Sequence, residues 1–348
     1  MSALETAREL GHEEVILVQE KRAGLSAIIA IHDTTLGPAV GGTRMRLYPS
    51  LDEAAEDALR LSRAMTYKAA MSGVARGGGK AVILGDPGRD KSRPLLAAYA
   101  KALDRLGGRF QTGCDMGIDD RDVAVLSRLT KHVTHTAPDS KLQTAGLAAL
   151  GVFASMRAVA RRMGRDLAGL HVAVQGLGQL GYRLAEMLAR AGARLTVADV
   201  DAGRAERAAA AFGAAVVAPE AIVDVEADVF SPNAGGSVID RAAVRRLRCR
   251  AVVGGANEQL AEPADGDALF ERGILFAPDY VANAGGLLSL LYEIGELDEE
   301  GVVARVEAIG PRVAEILDRA EAEGMPPHRL ADRMAEERLA AARGGSKP

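Results

Sequence analysis

The sequence predicts an α/β protein of two domains, the second built on a doubly wound sheet. Three observations predict it. At 348 residues the chain is long enough for two cores, at about 100–200 residues per domain. Short β-branched runs alternate with alanine-rich helical stretches, the pattern of an α/β chain. Beyond residue 170, six such runs are separated by helical or turn segments, which suits a doubly wound sheet.

In the first third the apolar stretches are Val15–Val18, Ala27–Ile31 and Ala81–Leu84. Between the last two lies a helix that opens on Ser50-Leu-Asp-Glu53, a capping-box pattern that satisfies free backbone N–H groups. On that helix Ala54, Ala58, Leu61 and Met65 fall at i, i+4, i+7 and i+11, a stripe facing the core. Met45, Met65 and Met71 are expected to pack as adaptable core. Pro138–Leu150 reads as a connection into a long helix over Gly151–Met163. Strand-like runs follow at His171–Gln175, Ala193–Asp199, Ala215–Val217, Asp228–Ser231, Ala251–Val253 and Ile274–Ala277. The tail, Glu299–Ala342, is helical. The expected domains are residues 1–137 with 326–348, and residues 138–325.

Composition narrows the function. Lysine and arginine total 43 against 47 acids, a net charge of −4, with no basic excess to neutralise nucleic-acid phosphates. Six Tyr, six Phe and no Trp leave few platforms for stacking bases. No apolar run approaches the roughly 20 residues of a membrane span. The start, MSALETARELGHEE, lacks the apolar core of a secretory signal. Cys114 and Cys249 are the only cysteines, too few for a disulfide scaffold. His12, His32, His132, His135, His171 and His328 show no metal-ligand spacing with them, so packing or surface roles and no metal are expected. The expectation is a cytoplasmic enzyme with no nucleic-acid or membrane partner.

LHVAVQ runs into Gly176-Leu-Gly178-Gln-Leu-Gly181 and then the helical stretch Tyr182–Ala191. The first glycine permits a tight turn, the second a close approach to a pyrophosphate, and the third close packing of helix on strand. The helix N-terminus then offers N–H groups and a positive dipole end to phosphates. Asp199 closes RLTVAD, 23 residues after the first glycine, where an acid hydrogen-bonds ribose hydroxyls. A bare glycine triplet also describes an ordinary turn; strand before, helix after and acid at this spacing together indicate a dinucleotide site. The carboxylate repels a 2′-phosphate, which favours NAD over NADP, although Arg204 follows closely and an arginine accommodates that phosphate.

Lys68 continues the core-facing stripe at i+14, where a lysine must snorkel or meet an anion. A second lysine follows Arg76-Gly77-Gly78-Gly79 and sits at the mouth of the strand Ala81–Leu84, where α/β sites commonly lie. Val74 and Ala81 stand where a phosphate-binding P-loop needs Gly and Ser/Thr. A lysine desolvated beside another cation is suited to general-base chemistry. Asp115, in Thr112-Gly-Cys-Asp-Met-Gly117, is flanked by glycines rather than charges; by itself it reads as a turn aspartate. Cys114 beside it has no paired histidine in the motif and reads as a small pocket residue.

HDTTLGPAVGGTRMRLYPSLDEAAEDALRLSRAMTYKAAMSGVARGGGKAVILGDP, VAVQGLGQLGY, GGANEQL and ILFAPDYVANAGG together resemble the Glu/Leu/Phe/Val amino-acid dehydrogenases, on the leucine and phenylalanine branch. The resemblance implies reversible NAD-dependent oxidative deamination of an L-amino acid to a 2-oxo acid and ammonia. It implies an α/β catalytic domain and a Rossmann domain with a cleft between them, and a homo-oligomer. Lys68 would bind the substrate carboxylate, Lys80 would activate the attacking water, and Asp115 would shuttle protons to and from the amine. Gly41 and Gly42 would line the carboxylate pocket through their backbone. Gln179, Leu180 and Ala234 would join Gly176, Gly178, Gly181 and Asp199 around the cofactor, with Asn257 and Asn283 holding polar groups of substrate or nicotinamide.

The substrate side chain would meet Val40, Met65, Gly113, Leu287 and Leu290. GPAVGGTRM looks leucine-type; TGCDMG, Gly113 and Leu287 look phenylalanine-type. No charge is seen to receive a glutamate side chain, so a bulky apolar substrate is expected, leucine/branched-chain or phenylalanine. Two departures stand out. Ala148 replaces a threonine that relatives use to seat the nicotinamide amide, with Thr144 nearby; Glu258 replaces the second asparagine of an Asn-Asn-Gln-Leu run. Two rivals remain: an NAD-dependent 2-hydroxy-acid dehydrogenase, which the two lysines and the aspartate oppose, and a non-catalytic NAD-binding regulator, for which Ala148 alone speaks.

Overall fold

The computed structural model describes residues 2–134 and 142–345; His135 and residues 138–141 of the expected connection lie outside them. Two compact units emerge, Met1–Ala137 with Ala335–Pro348, and Pro138–Met334. The return to the first unit thus starts at Ala335 rather than at residue 326.

In the first unit, α1 (Ala3–Leu10) precedes the antiparallel pair β1 (Glu14–Glu20) and β2 (Leu25–Asp33). Then come β3 (Ala39–Arg46), α2 (Leu51–Ser72), β4 (Gly77–Leu84), α3 (Arg93–Arg105), β5 (Phe110–Gly113) and α4 (Asp120–Leu126). The sheet order is β1-β2-β4-β3-β5, with β4, β3 and β5 mutually parallel. Ser50 caps α2 by accepting from the Glu53 N–H at 3.1 Å.

β3 and β5 are not visible as strands in the sequence. AVGGTRMR carries two glycines and two arginines where a strand pattern would alternate apolar and polar residues. It is extended because it hydrogen-bonds to a strand on each side. β4 starts at Gly77, before the expected Ala81, because its neighbours press hardest on the glycines. A Cβ on Gly78 would lie 2.1 Å from the Thr66 nitrogen of α2, and one on Gly79 2.7 Å from the Phe110 ring. Beyond them the strand alternates: Ala81 and Ile83 pack with Leu95 and Tyr99 of α3, and Val82 with Ala58 and Leu59 of α2. Lys80, two residues before Val82, therefore lies on the α2 face.

In the second unit α5 (Thr144–Arg162) starts seven residues before the expected Gly151. Alanine and leucine propensity there outweighs two glycines, and Gly151 is needed because a Cβ would sit 2.8 Å from the Ala282 carbonyl. Then follow β6 (His171–Gln175), α6 (Gln179–Arg190), β7 (Arg194–Ala198), α7 (Ala202–Phe212), β8 (Ala215–Val216) and β9 (Val229–Pro232). The unit continues with α8 (Arg241–Arg246), β10 (Ala251–Val252), α9 (Pro263–Glu271) and β11 (Leu275–Phe276). All six strands are parallel, in the order β11-β10-β9-β6-β7-β8. This is the doubly wound sheet the sequence predicts, with the chain reversing direction between β6 and β9, where such sheets bind ligands.

α10 (Asp279–Ala282), α11 (Gly285–Glu293), α12 (Glu299–Glu307) and α13 (Ile309–Glu323) precede α14 (Pro327–Gly345). Within the first unit, the end of α14 braces α2. Arg338 donates to the Ala70 and Met71 carbonyls at 2.8 and 3.1 Å, and Glu336 accepts from the Tyr67 hydroxyl at 2.6 Å. Among the described residues no helix is long and apolar enough to cross a membrane.

Candidate active site

Lys80 is 6 % exposed, and its ammonium forms an ion pair with the Asp115 carboxylate. It lies inside β4, not at a strand mouth, because the strand begins three residues earlier, at Gly77. Asp115 follows β5 in a turn that is held from several sides. Asp115 and Ile118 exchange backbone hydrogen bonds of 3.1 and 2.9 Å, and the Met45 N–H of β3 donates to the Met116 carbonyl at 2.8 Å. Lys91 donates to the Gly117 carbonyl at 3.0 Å. Gly117 has φ +79°, and a Cβ there would meet the Met45 carbonyl oxygen at 2.0 Å, so this glycine serves the turn's approach to β3.

Burial pushes the Asp115 carboxyl up, but the Lys80 ammonium and the Arg44 guanidinium outweigh it and hold the group below its ordinary value. Its Oδ1 also accepts the Met116 N–H at 2.5 Å. The group is an ionised carboxylate pinned against a buried ammonium.

Gly41 and Gly42 lie beside this pair. A Cβ on Gly41 would meet the Gly79 oxygen at 1.8 Å and Met65 Cγ at 3.4 Å; one on Gly42 would meet the Cys114 oxygen at 2.6 Å and Asp115 Cβ at 2.9 Å. Fold packing thus leaves bare backbone next to Met65, Lys80 and Asp115. Met65 and Lys68 are both half-buried and, three residues apart on α2, share a face. Neither is the fully buried core position that the stripe suggested, which frees them for the site. Val40 is buried and pairs in register with Gly78, while Gly113 pairs with Gly42. Cys114 is exposed; its carbonyl, not its thiol, approaches Gly42, which corrects the expected pocket role.

Two groups escaped sequence reasoning. Thr134 comes within 2.9 Å of where a Gly113 Cβ would stand, and nothing in its local sequence marks it. Arg44 lies 3.6 Å from Asp115. Its signal was present in the pattern: two residues beyond Gly42, it shares that strand face.

In the second unit, Gly176 has φ +85° and a Cβ there would sit 2.7 Å from the Ala234 nitrogen, so β6 and β9 end against each other at this turn. A Cβ on Gly181 would meet the Gly176 oxygen at 2.0 Å, whereas one on Gly178 would have nothing within 4 Å. Gly178 is the N-cap of α6 and makes no side-chain cap. The N–H groups that begin α6, around Gln179, Leu180 and Gly181, therefore face room for an anion. The Asp199 carboxylate accepts from Leu177 N–H at 2.6 Å and Asp201 N–H at 2.8 Å. It braces the glycine turn and keeps acceptor capacity for a diol. Arg204 is 4.0 Å from it.

Asn283 Nδ2 donates to Asn257 Oδ1 at 2.7 Å and to the Gly255 carbonyl at 3.2 Å. Its Oδ1 is buried and has no hydrogen-bond partner among the described residues, an arrangement that a carboxamide N–H₂ satisfies. These features fit a nicotinamide dinucleotide. Leu290 is buried and Leu287 half-buried on α11. A Cβ on Gly286, just before them, would meet Thr144 Cγ2 at 3.3 Å and Ala148 Cβ at 3.7 Å, so both residues of the departure from the family pattern border the start of α11.

Glu258 adopts φ +55°, and its carbonyl accepts from Ser237 N–H at 2.6 Å. That left-handed conformation costs a non-glycine residue about 1–2 kcal/mol, and asparagine tolerates it best. Glu258→Asn is expected to raise stability by about 0.5–1 kcal/mol, or a Tm by about 2–4 °C. A thermal melt showing a lower Tm would mean that the carboxylate makes a stronger compensating contact.

The profile described as "Glu/Leu/Phe/Val dehydrogenase, dimerisation domain" matches residues 12–132, and "Glutamate/Leucine/Phenylalanine/Valine dehydrogenase" matches residues 201–344. The chain is 42% identical over 343 residues to leucine dehydrogenase of Thermoactinomyces intermedius, covering 97% of this chain and 94% of that one. It is 44% identical over 339 residues to phenylalanine dehydrogenase of the same organism, covering 94% and 92%. The crystal structure of L-tryptophan dehydrogenase from Nostoc punctiforme superposes with a TM-score of 0.83 at 40% identity, covering 98% and 99%.

Proposed function

The chain belongs to the Glu/Leu/Phe/Val dehydrogenase family, and from that membership and the geometry of its two units we propose a reaction and a role for each residue. The enzyme is an amino-acid dehydrogenase acting on a CH–NH₂ group, and its substrate is a bulky apolar L-amino acid. The observation that carries the site assignment is the buried Lys80–Asp115 pair set against the bare backbone of Gly41 and Gly42.

One L-amino acid, one oxidised cofactor and one water yield the 2-oxo acid, ammonium, the reduced cofactor and one proton. The nicotinamide ring, when bound, supplies the acceptor for the hydride that leaves the substrate α-carbon. Lys68 and the Gly41–Gly42 backbone bind the substrate carboxylate. Asp115 takes a proton from the substrate ammonium, which frees the nitrogen lone pair as the C–H bond breaks. Lys80, made neutral by releasing its proton to solvent, accepts at Nζ a proton from the water that adds to the iminium carbon. Asp115 returns its proton to the amine nitrogen, and as the C–N bond breaks the hydroxyl proton leaves with the ammonia as ammonium. Val40, Met65 and Gly113 of the first unit are assigned to the apolar side chain, and the family resemblance assigns Leu287 and Leu290 of the second unit the same role. The dinucleotide is held by Gly176, Gly178, Gln179, Leu180, Gly181, Asp199 and Ala234, with Asn257 and Asn283 toward the carboxamide. NAD is the cofactor in this reading, because the Asp199 carboxylate opposes a 2′-phosphate.

A screen of the twenty L-amino acids for reduction of NAD and NADP at alkaline pH is the test. Turnover is expected with Leu, Ile, Val, Met or Phe, essentially none with Glu, and faster with NAD. Glutamate as best substrate would overturn the pocket, and NADH oxidation by 2-oxo acids without ammonia would favour a hydroxy-acid dehydrogenase.

A further inference from the structure

We propose that Arg44 is a positioning residue for the reaction, a permanent charge that keeps Asp115 ionised until it takes the substrate's proton, whatever the charge on Lys80, and that Asp57 and Tyr48 hold it in place. The proposal rests on the assignment of Lys80 and Asp115 as the proton-handling pair.

The Arg44 side chain is 11% exposed and spans two carboxylates. Its Nη1 donates to both oxygens of Asp57, at 2.9 and 3.2 Å, and its Nε lies 3.6 Å from Asp115 Oδ1. Asp57 is buried on α2 between Ala54 and Ala58, a position patterned for a small apolar residue. There it also accepts from the Tyr48 hydroxyl at 2.7 Å and from Arg60 at 3.1 Å. The order Lys80, Asp115, Arg44, Asp57, Arg60 alternates in sign at every step, and the Arg46 guanidinium lies 4.5 Å over the Tyr48 ring that orients Asp57. Among the described residues the charged or titratable groups around Asp115 include Lys80 from β4, Arg44 from β3, Cys114 beside it in the turn, Asp120 of α4 close to Cys114, and Lys91 on the Gly117 carbonyl, itself paired with Asp122 at 2.6 Å. Lys68 is half-buried on α2.

Two features set Arg44 apart from an ordinary structural arginine. Its Nε–H is buried and makes no hydrogen bond among the described residues, although it faces a carboxylate oxygen just beyond bonding range. A small rotation of Asp115 away from Lys80 would close that gap. Lys80, as the base, gains and loses a proton in each cycle, whereas a guanidinium does not titrate in a protein. When Lys80 is neutral, Arg44 remains a cation 3.6 Å from the mostly buried carboxylate.

The test compares the parent enzyme with R44M, R44K and D57N. One readout is the pH dependence of kcat and KM for L-leucine. The other is the protonation midpoint of Asp115, taken from infrared spectra of ¹³C-aspartate-labelled protein with D115N as the reference. R44M is expected to move the Asp115 midpoint and the acidic limb of kcat up by about one pH unit or more, about tenfold in the equilibrium, with KM changed less than threefold. R44K restores at least half of that displacement. D57N moves the midpoint the other way, because the amide oxygen of that variant still accepts from Arg44 and Tyr48 while a negative charge that competes for Arg44 is removed. Opposite signs in R44M and D57N are a result that mere loss of packing cannot produce. The proposal is overturned if R44M leaves the midpoint unmoved, if R44K is displaced as far as R44M, or if D57N shifts upward. Should R44M fail to fold, the sign in D57N and the position of R44K decide. A parent enzyme that turns over no apolar amino acid refutes the reaction assigned above, while the infrared midpoints still report on Arg44.

Discussion

Replacing Lys80 with methionine is expected to lower kcat by about 10²–10⁴-fold, the range a positioned general base contributes. Binding of NADH, followed by fluorescence, should be retained, since every proposed cofactor group belongs to the second unit. The same change removes the nearest counter-charge of Asp115. Losing one partner of a buried pair costs about 3–5 kcal/mol; with Arg44 still 3.6 Å away and Asp115 20% exposed, about 1–3 kcal/mol is expected here. The sign with pH follows from the depressed Asp115 carboxyl. Its stabilisation is complete above the unfolded carboxylate range and is lost as pH falls through the folded value. The gap in stability between parent and K80M should therefore be full at neutral pH and close on acidification, as read by denaturant unfolding at both. Activity within tenfold of the parent would remove Lys80 from the base role.

Gly78→Ala is expected to cause a large loss of stability from a single methyl group. The added carbon would stand 2.1 Å from the Thr66 nitrogen, 2.2 Å from its hydroxyl and 2.5 Å from the Ser62 carbonyl. Two of these atoms are helix backbone, so α2 as a whole must retreat from β4. Overpacking costs about 1–3 kcal/mol where side chains can yield; here the upper end or more applies. The retreat would carry Met65 and Lys68 away from Gly41, so KM for the amino acid should rise along with the fall in Tm. Gly344→Ala is the control. It lies in α14 with nothing among the described residues within 4 Å, and an alanine there should be neutral or stabilising, by up to about 1 kcal/mol. Equal melts for the two variants would refute the close helix–strand packing.

These predictions concern glycines and charges whose importance the sequence showed unevenly. Gly176, Gly178, Gly181 and Asp199 were legible because a turn, a helix start and a strand end lie within one short βαβ stretch, and each residue answers a local backbone need. Lys80 and Asp115 drew notice through their glycine neighbours, yet the first was placed at a strand mouth and the second could pass for a turn residue. β3 was invisible: its glycines are explained by the Gly79 carbonyl and by Asp115, both distant along the chain.

Residue order alone thus determined the two-domain α/β class, the parallel six-stranded sheet, the glycine turn ahead of α6 and the candidate identities of the reacting groups. All of these follow from short-range periodicity and backbone preference. The tertiary structure alone decided that β3 lies between β4 and β5, that Lys80 is buried against Asp115, and that Arg44 links Asp115 to Asp57. Those relations depend on the register of parallel strands and on how closely α2 sits against β4. Such non-local distances are set by packing of the whole unit, and no window of sequence contains them.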